Sequence, residues 1–545
     1  MSLVLDRPVA QEAGKPRLLT PSAVKAALRD GAEIAILDLR EEGAFAAEGH
    51  LLFAVPAPLS RLEAVIAGLV PRAATRIVLS DLDGSLIADG AKRLAQLGYT
   101  DVSALDSGTR GWEAAGFEVF TGTNVPSKAF GEVVEQRAGT PHLTAAEVAR
   151  LQAEGHDLVV LDSRPLPEFQ TMSIPGGLDC PGAELVLRAR EAAPDPGTLV
   201  VVNCAGRTRS IIGAQALINA GLPNRVVALE NGTMGWELAG LTLRHGETSQ
   251  VPRPGPGTLA WARMAAADLA RRAGVLRITP GELASLRADS GRSLFLFDVR
   301  SPEEYRAGHL PGFRSAPGGQ LVQATDSYVG TLRSRIVLAD AEDVRAPVTA
   351  SWLLQLGWDE VYVLEGGLSG ALETGPEPRR VLGLGELRPD WIDAASLYAA
   401  IGRGTAVFDV GSSRAFRAGH VPGAWFTTRT RLGAAAVDHA PDAPDYAVLA
   451  GDDALAAFAA DELAWASGKR VRVLLGGLEA WKAAGLPVEA GAQRLLADDD
   501  VWLAPAQHPP ERQEAEKRRY IAWELNLPAQ IARDGDARFQ ILAQG

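Results

Sequence analysis

The chain has 545 residues, a formal net charge of −13, 47% apolar and 22% charged residues, and two cysteines. That length exceeds one hydrophobic core and predicts roughly three to five domains, while the acidic balance speaks against nucleic acid, which needs a basic face. Two cysteines are too few for a disulfide framework or a cysteine-based zinc site, the eight histidines show no ligand-like spacing, and no apolar run is long enough to cross a bilayer.

The opening residues lack the charged start and apolar block of a signal peptide, so the cytoplasm is the expected compartment. From about residue 17 one pattern is written four times. An apolar run ending in Asp-x-Arg stands at 36–40, 160–164 and 297–300, and recurs in altered form as Phe408-Asp409-Val410-Gly411. A turn follows each: Gly49-His50, Ser173-Ile174-Pro175-Gly176, Gly308-His309-Leu310-Pro311-Gly312 and Gly419-His420-Val421-Pro422-Gly423. Second apolar runs come at 76–79, 199–202, 335–338 and 446–449. Each unit closes on a strand-like run and a Gly-containing turn: 102–105 before Gly108 and Trp112, 226–229 before Gly232 and Trp236, 361–364 before Gly366-Gly367, and 471–474 before Gly476-Gly477 and Trp481.

Short β-branched runs alternating with helix-length amphipathic segments predict α/β units around buried parallel sheets. The expected modules are 17–123, 141–246, 276–376 and 388–490, each a small parallel sheet flanked by helices. Linkers are expected near 123–140, 247–277 and 374–389, and residues 491–545 read as a partly helical C-terminal tail.

Chemistry concentrates in the second module. An apolar strand runs into Asn203-Cys204-Ala205-Gly206-Arg207-Thr208-Arg209-Ser210, and a helical pattern starts at Ile211. A thiol where a strand turns into a helix faces converging backbone N–H groups and the positive end of the helix dipole. Such surroundings, with Arg207 and Arg209 adjacent, favour the thiolate, so Cys204 is the expected nucleophile. Cys180 reads as a packing residue, with a resolving thiol as the other reading. Arg188 is a further candidate for the pocket, against an ordinary solvated helix arginine. Asp162 and Arg164 read as a structural ion pair, and Met234 and Trp236 as pocket wall or core.

The Asp-x-Arg strand, the Gly-His-x-Pro-Gly turn, the cysteine loop and the Gly-Gly-x-x-x-Trp closure, in that order four times, resemble tandem rhodanese modules over about residues 17 to 490. The resemblance implies a doubly wound fold with the active loop at the carboxyl end of a central strand, where open α/β sheets bind ligands. At the cysteine position the third module offers Asp340, the first Asp81 or Ser80, and the fourth Gly451, none able to form a persulfide. One live module and three inactive ones are therefore expected. The inactive ones read as scaffold, with binding of a cation or a partner protein as the sharper alternative.

Six residues from Cys204 to Arg209 resemble the sulfurtransferases of the family, whereas its phosphatase-like members carry one more. The implied reaction moves a sulfane sulfur from a small anionic donor, thiosulfate, through a Cys204 persulfide to a thiol or cyanide acceptor. In that reading Ala205, Gly206, Arg207, Thr208, Arg209 and Ser210 cradle the donor, with the two arginines on its charged end. The alternatives are 3-mercaptopyruvate as donor, or a non-enzymatic persulfide carrier or scaffold. No cofactor, metal, nucleic acid or membrane enters this reading, and the expected assembly includes a homo-oligomer.

Overall fold

The structure, a computed structural model, describes residues 16–542. It holds four five-stranded sheets, and within each the strands, counted from the module's N-terminus, lie in the order 1-5-4-2-3. The ladders in all four are parallel, for example Leu158–Asp162 with Leu199–Asn203. The sheets are covered by helices, so four residues of Leu199–Asn203 are buried and its run of valines suits a strand packed on both faces. The four expected tandem α/β modules and the C-terminal helix, Pro510–Asp534, are thus present.

The register settles which residues correspond. The aspartate closing each module's second strand pairs with the last residue of the fourth: Asp38 with Ser80, Asp162 with Asn203, Asp298 with Ala339, and Asp409 with Leu449. The next residues along are Asp81, Cys204, Asp340 and Ala450. The first module therefore places Asp81 at the cysteine position, and in the fourth it is Ala450, one residue before the expected Gly451.

The repeated turns have structural roles. His50, His309 and His420 stack on Phe45, Tyr305 and Phe416, with ring centroids 3.8 Å apart in each case. The closing tryptophans are core anchors whose indole N–H groups each donate to a carbonyl: Trp112 to Glu118, Trp236 to Thr242 and Trp481 to Pro487.

Two expected linkers are helices. Val125–Ala138 is largely buried, and Pro256–Ala273 buries one face against its neighbours. Each carries a proline in its first turn, Pro126 and Pro256, where a missing N–H costs nothing.

The chain divides into two compact units. Of the described residues, one unit comprises 16–25, Ala35–Thr123 and Arg379–Trp502; the other comprises Ala26–Ile34, Asn124–Pro378 and 503–542. In the first, modules one and four keep separate cores. Ion pairs link them: Arg429 to Glu63 at 2.8 Å and Arg93 to Glu462 at 2.7 Å. In the second, modules two and three share a core in which Val202 and Leu217 join Leu338 and Leu353. Phe130 meets Trp352 edge-on at 5.9 Å, and Arg345 reaches Glu184 at 2.7 Å.

Candidate active site

Cys204 follows the strand Leu199–Asn203 directly, and the helix Thr208–Asn219 begins four residues later, three residues before the expected start. Arg207 caps that helix, so the N–H groups of Thr208, Arg209 and Ser210 are its unbonded first turn. Cys204 is 2% exposed, and its sulfur lies 3.6 Å from Ser210 Oγ, whose hydroxyl donates to Arg207 O at 2.8 Å.

What shapes the cup is the turn at Asn231 and Gly232, both left-handed with φ of 58° and 54°. Only glycine fits at 232, because a Cβ there would stand 2.3 Å from Cys204 O. The turn aims Thr233 N at Cys204 O (2.9 Å) and Met234 N at Ala205 O (3.0 Å). In a trans peptide the N–H points opposite its C=O. The N–H groups of Ala205 and Gly206 are therefore turned away from these anchors, and among the described residues neither has an acceptor.

Both arginines hold carboxylates of other elements. Arg207 donates to Glu132 Oε1 at 2.7 Å and to Asn231 Oδ1 at 3.2 Å, and pairs with Glu135. Arg209 grips Glu168 through both terminal nitrogens, at 2.8 and 2.7 Å, and reaches Gln320 at 3.1 Å. Each guanidinium braces the loop against a carboxylate of another element. Burial opposes the charge of Arg209, but Glu168 and then Cys204 outweigh it and raise its pKa, so its positive field still acts near the sulfur.

Arg188 is not at this site. It pairs with Glu184 at 2.7 Å, donates to Val251 O at 3.3 Å, and lines a separate cleft of about 830 Å³. Cys180 is 1% exposed in the core beside Val186 and forms no disulfide. Burial and then Glu184 push its thiol well up, so it stays protonated. Asp162 and Arg164 form the expected buried pair at 2.7 Å, and Asp162 also receives Asn203 Nδ2.

The tail was expected to be partly helical, but its contact with the cysteine loop was not foreseen. A Cβ on Gly206 would meet Met234 Cε at 2.7 Å, Glu524 Oε2 at 3.3 Å and the Tyr520 ring at 3.5 Å. Thr208 Oγ1 donates to Glu524 Oε1 at 3.3 Å, as does Tyr520 Oη at 3.0 Å. Lys128 sits over the Tyr520 and Trp523 rings at 5.2 and 4.9 Å. Burial pushes the Glu524 carboxyl up to about 7, with Lys128 opposing the rise. The i,i+4 spacing of Tyr520 and Glu524 was visible as one helix face, but nothing local tied that face to Cys204.

Modules one and three fill the equivalent cup with their own anion. Asp81 accepts from Gly84 N and Leu86 N at 2.6 and 2.7 Å. Asp340 accepts from Asp343 N, Val344 N and Arg345 N at 3.2, 2.9 and 2.7 Å. The loop geometry is therefore that of an anion cradle, and only module two sets a sulfur in it.

The family model of the rhodanese-like domain matches residues 20–115, 144–239, 279–374 and 393–484. The crystal structure of thiosulfate sulfurtransferase from Pseudomonas aeruginosa is similar over 97% of this chain and 100% of that one, at 46% identity and a TM-score of 0.92. An HTH-type transcriptional regulator of Mycobacterium tuberculosis is 32% identical over 110 residues, which are 20% of this chain and 47% of the regulator. With four matches covering most of its length and one module carrying a cradled cysteine, the chain belongs to the rhodanese family.

Proposed function

We propose that the protein is a sulfurtransferase that moves a sulfane sulfur from thiosulfate to a thiol or cyanide through a persulfide on Cys204. The observation that carries this reading is the cup: one sulfur at the mouth of a strand–helix turn, beneath N–H groups that have no other acceptor. The 46% identity to a protein described as thiosulfate sulfurtransferase supports the choice of donor.

In the first step the Cys204 thiolate attacks the outer sulfur of thiosulfate. The Sγ–S bond forms, the S–S bond of the donor breaks, and its electron pair leaves with sulfite. The N–H groups of Ala205 and Gly206 and the first turn of the helix hold the negative charge spread over these sulfurs. Sulfite leaves as an anion, so no general acid is required. In the second step the acceptor attacks the terminal sulfur, the Sγ–S bond breaks, and its electron pair returns to Cys204. Arg207 and Arg209 act in this scheme by holding the loop's shape, and Arg209 adds its field.

Steady-state formation of thiocyanate from thiosulfate and cyanide tests the reading. Cys204→Ser abolishes turnover, while Cys180→Ser keeps it within about twofold of wild type, since a buried packing thiol takes no part in the chemistry. Persulfide formation without turnover to any small acceptor would mark a carrier; turnover surviving in Cys204→Ser would overturn the proposal.

A further inference from the structure

Three modules bury an aspartate at the end of the second strand and neutralise it with the arginine two residues on. The pairs are Arg40–Asp38 and Arg164–Asp162 at 2.7 Å, and Arg300–Asp298 at 2.6 Å. Each is bidentate, with Nε on one carboxylate oxygen and Nη2 on the other.

Module four keeps the aspartate and lacks the arginine. Gly411 stands in its place, and Gly411 N donates to Asp409 Oδ1 at 2.8 Å as the arginine N–H groups do at 3.1 Å. The turn is preserved and only the guanidinium is missing. Asp409 is 7% exposed, and among the described residues no cation pairs with it. The charge that acts on it is that of Asp500, which is buried, of the same sign, and has one oxygen without a hydrogen-bond partner.

The missing arginine and the missing cysteine leave space. A cavity of about 580 Å³ opens there, with Asp409, Gly411, Ala450, Gly476 and Leu478 in its wall. Three arginines also border it, and each is engaged. Arg429 holds Glu63 and Glu462, Arg379 holds Asp452, and Arg61 donates to Gly411 O while its charge acts on Glu41. A buried carboxylate stripped of its partner is strongly unfavourable, and here it faces a cavity.

We propose that this cavity binds a small organic cation with a guanidinium head, seated on Asp409 where the other modules carry their arginine. The planar fork that makes the two bonds in modules one to three is the chemistry the vacant place fits. This site is independent of the reaction at Cys204.

The test is ligand-observed NMR on the full chain with methylguanidinium chloride, at constant ionic strength, for wild type, Asp409→Asn and Gly411→Arg. Gly411 does not need a left-handed φ, and a Cβ there clears the backbone and stands 3.0 Å from Asp409 Oδ1, so an arginine enters with a small shift of that carboxylate. The expected result is saturable methyl-proton transfer in wild type that weakens at least about tenfold in both variants, since each removes the charge-assisted pair. Gly411→Arg should also melt above wild type, while methylguanidinium raises the melting temperature of wild type alone. Absence of saturable binding to wild type, or equal binding to all three proteins, would overturn the proposal.

Discussion

Arg207 shows how a side chain beside the nucleophile works through what it holds. Its guanidinium covers Glu132, which is 1% exposed, so removing it leaves a buried carboxylate without a counter-charge. Arg207→Ala is expected to destabilise the fold by about 3–5 kcal/mol, and the double variant Arg207→Met, Glu132→Leu to recover most of that loss. Denaturant melts of the single and double variants check it; a harmless single variant would contradict the bracing role. Burial shifts the Glu524 carboxyl upward, opposite to the downward shift of a carboxylate held by a cation. Its folded pKa, about 7, lies above its ordinary 4.5, so the folded state binds the extra proton between those values. Its contribution to stability is full below 4.5 and lost as pH rises through about 7. Glu524→Gln is therefore expected to stabilise by about 2–3 kcal/mol near pH 8 and by little near pH 5. Melting curves at the two pH values decide it, and equal shifts would count against the buried carboxylate. Neither carboxylate was legible as a partner of the loop. The arginines were visible beside Cys204, but Glu132 and Glu168 stand 75 and 41 residues away and Glu524 stands 316 from Thr208.

The C-terminal helix Pro510–Asp534 is the element that most changes the picture of the site. It packs along Val125–Ala138 and lays Tyr520 and Glu524 on the loop at Gly206 and Thr208. Tyr520→Ala is expected to raise the rate at which Cys204 reacts with a bulky thiol reagent, on the order of tenfold, because the ring no longer covers the loop. Mass-resolved alkylation kinetics measure this, and an unchanged rate would show that the helix leaves access to the sulfur unaffected. The strands were readable because their signal is local: the 199–202 run, the Asp-x-Arg ends and the closing Gly–Trp turns all lie within a few residues. That the linkers hold the helices Val125–Ala138 and Pro256–Ala273 was not legible, because proline marks a helix's first turn and a coil alike. Ala450 was displaced by one residue because Gly451 beside it looked more like a loop apex, and only the pairing of Asp409 with Leu449 fixes the count.

At the scale of the molecule, four modules written in sequence fold as two units, and the units join modules two and three in one and one and four in the other. The sharing of a core follows from side chains far apart in the chain, which is why tandem order alone did not reveal it. Phe130 packs in the core common to modules two and three and touches Trp352 and Phe539. Phe130→Ala should destabilise that unit by about 3–5 kcal/mol and leave the other unit's transition in place, which calorimetry would resolve. The loss of cysteine from three modules leaves the catalytic claim on one atom. Its most direct measurement is the intact mass of the protein after incubation with thiosulfate. A gain of one sulfur, about 32 Da, is expected in wild type and Cys180→Ser but not in Cys204→Ser; a gain that persists in Cys204→Ser, or none in wild type, would contradict a Cys204 persulfide.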